Sequence, residues 1–407
     1  MTGQQAVQEL RREDGVTLVS LFWTFLKIGA TAFGGFMALI SVVQNYVVER
    51  RRLLSHEDML DGVSLATMLP GPVAVNVVAY TGYRLRGVSG AVVCATAVTL
   101  PSFLLIVGLS YLYFTYGQIP SVSQFFQGII PAIAAIVAVA AWNMGKKAIG
   151  GWREAALAVM AFVSVIFVGG FYTTLGAMAV AGVVGFLLFR PRRAPSRGAG
   201  GGSDDSSPRA PQSSRLYSVA GIPAVTAVAP FLSTDLAMAG KLILTFGGMS
   251  LVLFGGGFVF IPLIQEIVVG EYGWVTQQEF VDSIAMGQVT PGPIVMSATF
   301  IGYKLGGLLG ASAATIGIFT PPAALMVVSS HYLQRIKGSE NMKAVLKGLR
   351  SAIIGMIAAA VVAIGKTAEP SVVSALIFLA TLVALIRFKL EVVWIIPAAG
   401  IVGILYY

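Results

Sequence analysis

Long apolar segments separated by short polar loops make up nearly the whole chain. In the first half they lie at 18–48, 59–83, 88–114, 126–145, 154–169 and 171–189, and in the second half at 238–269, 280–303, 308–333, 345–365, 371–386 and 392–406. Apolar residues are continuous within each segment instead of alternating with polar ones, which favours α-helices over the strands of a membrane barrel. The pattern therefore predicts an all-α polytopic membrane protein.

A polar stretch rich in Gly, Pro and Ser separates the two apolar halves. Such a composition is typical of a flexible, solvent-exposed linker. We expect five parts along the chain: a cytoplasmic N-terminal segment at 1–17, a first repeat at 18–190, a flexible basic linker at 191–215, a linking apolar segment at 216–235 and a second repeat at 236–407.

The two halves repeat each other in sequence. Residues 33–72 align without a gap with residues 254–293, and 11 of the 40 aligned positions are identical, including the Pro-Gly-Pro triplet that ends each stretch. After a one-residue gap, GYRLRG at 82–87 aligns with GYKLGG at 302–307. Two copies of a membrane unit with glycine and proline breaks in register are typical of secondary transporters.

Basic residues in the loops give these segments a direction. The positive-inside rule makes basic loops cytoplasmic, and the basic loops of the second half lie one crossing out of phase with those of the first. With an additional crossing at 216–232, the charges predict two halves in inverted topology, the N-terminus and linker cytoplasmic and the C-terminus outside. Each half is expected to contain two broken or re-entrant helical hairpins plus about four spanning helices; full spans in place of the hairpins fit the charges equally.

The composition agrees with a membrane protein and excludes several other classes. Only 11% of the 407 residues are charged, against about 25% in a soluble domain, and 56% are hydrophobic. These values exclude a soluble enzyme, a disordered chain and a nucleic-acid-binding protein. One cysteine and two widely separated histidines predict no metal site and no cofactor. Without a phosphate-binding loop or a Ser/His pair in facing helices, we expect no enzyme.

The duplicated motifs resemble those of the chromate ion transporter (CHR) family in its two-domain form. The motifs are FGGF, VVERRR and GYRL in the first half, FGGGFVFIPLI, EYGW, TPGPI and GYKLGG in the second, and a PGP triplet in each. The resemblance covers both halves and implies a secondary transporter in the plasma membrane that exports chromate, with sulfate-like oxyanions as related substrates, and so confers chromate resistance. An importer, exchanger or channel for sulfate or another inorganic anion stays open. Expected partners are the oxyanion, the lipid bilayer and a second copy in a homodimer, but no nucleic acid.

Candidate binding residues follow from the chemistry of a tetrahedral dianion, which only accepts hydrogen bonds. Glycine lets backbone N–H groups approach a ligand. The second proline of each triplet suits the first position of a helix, whose free N–H groups and positive dipole end would then point at an anion. The candidates are Lys27, Gly34, Gly35, Pro70, Gly71, Pro72 and Asn76 in the first half, and Gly255, Gly256, Thr290, Pro291, Gly292, Pro293 and Ser297 in the second. The simpler alternatives are helix kinks, close helix contacts and, for Lys27, a side chain that reaches out of the bilayer.

Two further matched pairs are candidates for gating or coupling. Asp61 and Asp282 each precede a PGP triplet by nine residues, and Arg84 and Lys304 follow the triplets. The aspartates would exchange protons, and the basic residues would attract the anion at a gate. The simpler alternatives are helix-start caps for the aspartates and interfacial anchors for the basic residues.

Overall fold

The computed structural model describes residues 16–32, 36–117, 119–190, 234–254, 257–332 and 339–407. All regular secondary structure in these ranges is helical. The predicted linker at 191–215, most of the linking segment at 216–235 and residues 1–15 lie outside the described residues.

The described helices form two matching series. In the first half they are α1 (Leu18–Thr31), α2 (Phe36–Gln44), α3 (His56–Met68), α4 (Val73–Tyr116), α5 (Pro120–Ala148), α6 (Trp152–Phe167) and α7 (Phe171–Phe189). In the second they are α8 (Thr234–Ser250), α9 (Phe260–Gln265), α10 (Gln277–Val289), α11 (Ser297–Ser330), α12 (Glu340–Gly365), α13 (Val372–Ile386) and α14 (Val392–Tyr406). Even a π-helical turn recurs, at Asn45–Arg50 and at Glu266–Glu271. The sequence repeat is therefore also a repeat of local structure.

Length and composition identify the helices that can cross a bilayer. Within the described residues, five are long and apolar enough: Val73–Tyr116, Pro120–Ala148, Phe171–Phe189, Ile294–Ser330 and Glu340–Gly365. Four shorter apolar helices accompany them. Large apolar side chains such as Leu187, Leu308 and Leu405 are exposed on the outer faces, where lipid would cover them. These features agree with the predicted polytopic helical membrane protein.

The longest helix of each half reverses direction within its own length. The backbone of α4 is non-helical at Arg86 and Gly87, and a Cβ atom placed on Gly82 would overlap the carbonyl oxygen of Gly90. Residues eight apart in a straight helix are about 12 Å from each other, so residues 73–85 and 88–116 form two arms that fold back on one another. The helix α11 repeats this reversal at Gly306 and Gly307. The predicted boundary between the segments 59–83 and 88–114 is thus a sharp turn.

The two halves interlock instead of standing side by side. The helices α6 and α7 of the first half pack against α12 of the second, and α13 and α14 of the second pack against α5 of the first. Small residues allow these close crossings: Gly185 meets the backbone of Gly348, and Gly128 meets that of Gly403. The helices α5 and α12, the longest of each half that do not fold back, are therefore each buried against the other half.

Two hairpin tips as the candidate functional site

The first PGP triplet is the tip of a helical hairpin. The capping box of Ser55 and Asp58 begins α3, which ends at Met68, and α4 begins at Val73. A Cβ atom on Gly62 would overlap the ring of Tyr80, so α3 and the first arm of α4 lie side by side. We call Pro70-Gly71-Pro72 the first tip.

The second half builds the same hairpin. Thr276 and Glu279 form the capping box of α10, which ends at Val289, and a short 3₁₀ turn, Ile294–Met296, leads into α11. We call Pro291-Gly292-Pro293 the second tip. In both tips the second proline has an extended backbone and the helix begins one residue later, which corrects the expectation that this proline occupies the first helical position.

A matched ion pair closes the open end of each hairpin. Arg84 donates to Asp58 at 2.6 Å, and Lys304 donates to Glu279 at 2.5 Å. Burial raises the pKa of Asp58, but the hydrogen bonds from Ser55 and the charge of Arg84 outweigh that effect, so its pKa lies below the usual value. The capping boxes pair Ser55 with Asp58 and Thr276 with Glu279, so the alternative that Asp61 and Asp282 cap the helix starts is wrong. The position of Arg84 and Lys304 agrees with an anchoring role at the end opposite the tips.

Each tip packs against the other half of the molecule. Gly71 has φ +103°, its N–H donates to the carbonyl of Leu253 at 2.7 Å, and a Cβ atom on it would overlap the ring of Pro322. Gly292 has φ +117°, and a Cβ atom on it would lie 2.6 Å from the hydroxyl of Ser102, which donates to the carbonyl of Pro291. Both tips therefore need glycine for its conformation and for close packing.

The predicted side-chain donors make hydrogen bonds within the tips. Asn76 donates to the carbonyl of Pro70 at 3.0 Å, Ser297 to that of Ile294 at 2.5 Å, and Thr290 to that of Gly287 at 3.4 Å. These bonds use the hydroxyl hydrogens of Ser297 and Thr290 in this conformation, whereas the Asn76 amide keeps a second N–H. All three are buried, and the amide oxygen of Asn76 has no hydrogen-bond partner among the described residues.

Two donors near the tips were not predicted from the sequence. Gln288 is three residues before Pro291, and its buried amide nitrogen has no hydrogen-bond partner in the described structure. At the position that matches Gln288, the carbonyl of Thr67 accepts a hydrogen bond from Arg350 at 3.1 Å. The spacing of Lys343, Lys347 and Arg350, four and three residues apart on α12, was the signal for Arg350, because such residues share one helix face.

The aspartates that precede the tips differ between the halves. Asp282 is buried, accepts a hydrogen bond from Tyr113 of the first half at 2.6 Å, and accepts another from Gln278 at 3.1 Å. No Lys or Arg among the described residues forms an ion pair with it. Asp61, at the matching position, is partly exposed. A buried carboxyl group without a cationic partner is a functional candidate in a membrane protein.

The remaining candidates are not brought to the tips by the described contacts. Lys27 is exposed on α1, and within the described part of the chain its side chain makes no hydrogen bond or ion pair. Gly34, Gly35, Gly255 and Gly256 lie outside the described residues.

Comparison with known proteins gives consistent matches. A family profile described as Chromate transporter matches residues 19–186 and 240–404. A chromate transport protein of Cupriavidus metallidurans is 28% identical over 96% of this chain and 94% of its own length. A probable chromate transport protein of Synechococcus elongatus is 28% identical over 96% of both chains. A chromate transport protein of Pseudomonas aeruginosa is 30% identical over 95% of this chain and 92% of its own. No solved structure matches the chain.

Proposed function

The chain belongs to the chromate transporter family, and on that premise we propose that it is a secondary transporter that exports chromate from the cytoplasm and so confers chromate resistance. The named relatives support chromate as the substrate. Sulfate and similar tetrahedral oxyanions would be related substrates, because they present the same acceptor oxygens.

The observation that most supports transport is the packing of each tip against the opposite half. Gly71 contacts Pro322 and Gly292 contacts Ser102, and these two partners occupy matching positions in α11 and α4. Any displacement of one half against the other must therefore change both tips at once. Broken helices at the interface of two repeats are where secondary transporters bind their substrates.

The binding groups we propose are backbone N–H groups at the tips. The first turn of α4 leaves the N–H groups of Val73, Ala74 and Val75 without intrahelical acceptors, and these residues are buried. The positive end of the α4 dipole adds to the attraction for an anion. A shift that releases the hydrogen bond between Gly71 and Leu253 would add another donor.

We further propose that Asp282 couples transport to protons. Its carboxyl group lies between α10 of the second half and Tyr113 of the first, so its protonation bears on a contact between the halves. The charge pattern of the loops supports inverted halves with the linker in the cytoplasm.

The membrane potential supports export as the direction of transport. A cytoplasm-negative potential contributes about 2.3 kcal/mol per charge per 100 mV, and thus about 4.6 kcal/mol for a dianion that leaves the cell. Export is favoured without a coupled ion, whereas import would have to overcome this free energy.

The test is radiolabelled chromate flux in everted membrane vesicles, with the potential and the pH gradient clamped separately. We expect chromate to accumulate in vesicles that contain the protein and not in vesicles that contain a Gly71→Asp variant at equal abundance. Radiolabelled sulfate measured in parallel gives the selectivity. Equal chromate flux in both vesicle types would contradict chromate export, and sulfate flux alone would assign a different anion.

A further inference from the structure

A cavity lined by basic side chains lies beside the first tip. Its volume is about 410 Å³, and α3, α5 and α12 surround it. Its polar lining consists of Ser64 and Thr67 from α3, Lys147 from α5, and Lys343, Lys347 and Arg350 from α12. We call this space the basic cavity.

The charges of the basic cavity are only partly neutralised. Lys347 pairs with Glu154 at 2.6 Å, and Lys343 pairs with Glu340 at 2.7 Å. Among the described residues, Lys147 and Arg350 form no ion pair. The cavity therefore keeps two positive charges, which suits a divalent anion.

The three basic residues of α12 form a line along one helix face toward the first tip. Lys343 is in the first turn of the helix, and Arg350 is ten residues from Glu340, roughly 15 Å along the axis. Arg350 donates to the carbonyl of Thr67, three residues before Pro70, and thus lies next to the first tip. One of its five N–H donors is used there, so others remain for a ligand.

The first half has no equivalent of this line. The positions of α5 that match Lys343, Lys347 and Arg350 are Ser123, Gln127 and Ile130. Basic residues that only anchored helix ends at the interface would be expected in both halves. A row of three in one half alone therefore indicates a role beyond anchoring.

We propose that the basic cavity is a binding site for a tetrahedral oxyanion dianion, which it concentrates and delivers to the first tip. This inference rests on the proposed export of chromate, since the loop charges place Lys147 and Lys343 on the cytoplasmic side, where an exported anion enters. Lys147 and Arg350 supply the charge and the N–H donors, because the Ser64 hydroxyl already donates to the carbonyl of Leu60 at 2.7 Å. A phospholipid headgroup has the same chemistry, and the test distinguishes the two sources.

The chain offers a matched pair of lysines for the test. Lys147 lines the cavity, whereas Lys146 lies outside its lining with its amine 4.8 Å from the centre of the Trp142 ring. In everted vesicles we expect Lys147→Gln to raise the KM for chromate roughly threefold to tenfold, because local positive potential concentrates the anion, while kcat changes little. Lys146→Gln should leave the KM within about twofold. Arg350→Lys, which keeps the charge, should be milder than Arg350→Gln.

Two conditions make the result specific. The difference between Lys147→Gln and wild type should shrink at high ionic strength, since the Debye length falls from about 30 Å at 0.01 M to about 3 Å at 1 M. It should persist in proteoliposomes that contain only zwitterionic lipid. A difference that requires anionic lipid would assign the cavity to a headgroup and overturn the proposal, as would equal KM values for the two lysine variants.

Failure of the proposed function would look different. Wild-type vesicles would then move no chromate, whatever the lysine variants do. Equilibrium dialysis of the purified protein against radiolabelled sulfate tests the cavity without transport: binding that Lys147→Gln weakens and Lys146→Gln preserves would support the site, and absent or unaffected binding would overturn it.

Discussion

The two halves of the molecule share their framework and differ in their charges. Both build a capped helix, a glycine tip, an ion pair at the open end and a long helix that folds back on itself. At matching positions, however, Asp282 is buried where Asp61 is partly exposed. Arg350 of α12 corresponds to Ile130 of α5, and Lys27 corresponds to Gly248.

This difference separates architecture from chemistry. Features present twice position the tips, and they must be present in both halves because each tip packs against the other half. Features present in one half alone are not needed for this shared framework. Such features can therefore specify the direction of transport, the choice of ion and any coupling.

The largest expected effect is at the tips, where the two glycines have different surroundings. A Cβ atom on Gly71 meets the rigid ring of Pro322, whereas one on Gly292 meets the hydroxyl of Ser102, which can rotate away. Both glycines have positive φ, which costs an alanine about 1–3 kcal/mol. We expect Gly71→Ala to lower chromate flux at least tenfold, about 1.4 kcal/mol in the barrier, and to lower the melting temperature, with a smaller effect of Gly292→Ala.

A rescue experiment sharpens this prediction. Ser102→Ala removes the hydroxyl that Gly292→Ala would contact, so the double variant should regain part of the flux. Pro322→Ala should not rescue Gly71→Ala, because the Cβ atom of residue 322 is among the atoms that overlap. Equal losses at the two tips, measured as flux per inserted protein, would contradict the difference in packing.

The second prediction compares the two aspartates. If Asp282 exchanges the coupled proton, Asp282→Asn should abolish the part of the flux that a pH gradient drives. Chromate flux under the gradient should then fall about fivefold or more, as typical coupling energies imply. Asp61→Asn should keep that part. The measurement is chromate flux driven by the pH gradient at zero potential, followed by flux driven by the potential at equal pH.

Tyr113→Phe provides a graded control, because it removes one of the two hydrogen bonds to Asp282 and keeps the carboxyl group. It should shift the pH dependence without abolishing it. An Asp282→Asn variant that responds normally to a pH gradient would exclude the coupling role.

The sequence was sufficient for the parts of the fold that depend on local chemistry. Glycine and proline clustered within a few residues interrupt a helix, so the tips and the break after residue 83 were predictable, whereas the single prolines Pro101 and Pro131 lie inside helices. The matched spacing also predicted that the breaks would recur in the second half. Hydrophobic continuity predicted the helices themselves.

Contacts between distant residues were not predictable in the same way. Tyr113 and Asp282 are 169 residues apart, and Arg350 and Thr67 are 283 apart. Whether a donor such as Asn76 is free or bonded to a backbone carbonyl depends on tip geometry at the level of single ångströms. The basic line on α12 was visible in the spacing of its residues, but the same charges also served as loop charges in the topology prediction.

A third, moderate effect concerns the cations of the first helix in each half. Lys27 is exposed on α1, whereas Lys241 on α8 lies over the rings of Tyr272 and Trp274 at 4.2 and 5.4 Å. If Lys27 is a counter-charge for the anion, Lys27→Gln should lower flux about threefold at unchanged abundance, since it removes one attracting charge. Lys241→Gln should instead cost about 0.5–1 kcal/mol of stability. Wild-type flux in Lys27→Gln would assign that lysine to anchoring alone.

The smallest effect is expected where the halves agree most closely, at the ion pairs that close the hairpins. Both pairs are partly exposed, the Arg84 pair more than the Lys304 pair, and exposed pairs contribute about 0.2–1 kcal/mol. A double-mutant cycle of Arg84→Gln with Asp58→Asn, and of Lys304→Gln with Glu279→Gln, should give coupling energies in that range, slightly larger for the less exposed pair. Melting temperatures in detergent at low and high salt provide the measurement, because screening should remove most of the coupling.

Flux per inserted protein should stay near the wild-type value, since the pairs lie at the ends of the hairpins opposite the tips. If Arg84→Gln or Lys304→Gln lowered flux severely at unchanged stability, that residue would be part of a gate, and the division between shared architecture and single-copy chemistry would fail at that position.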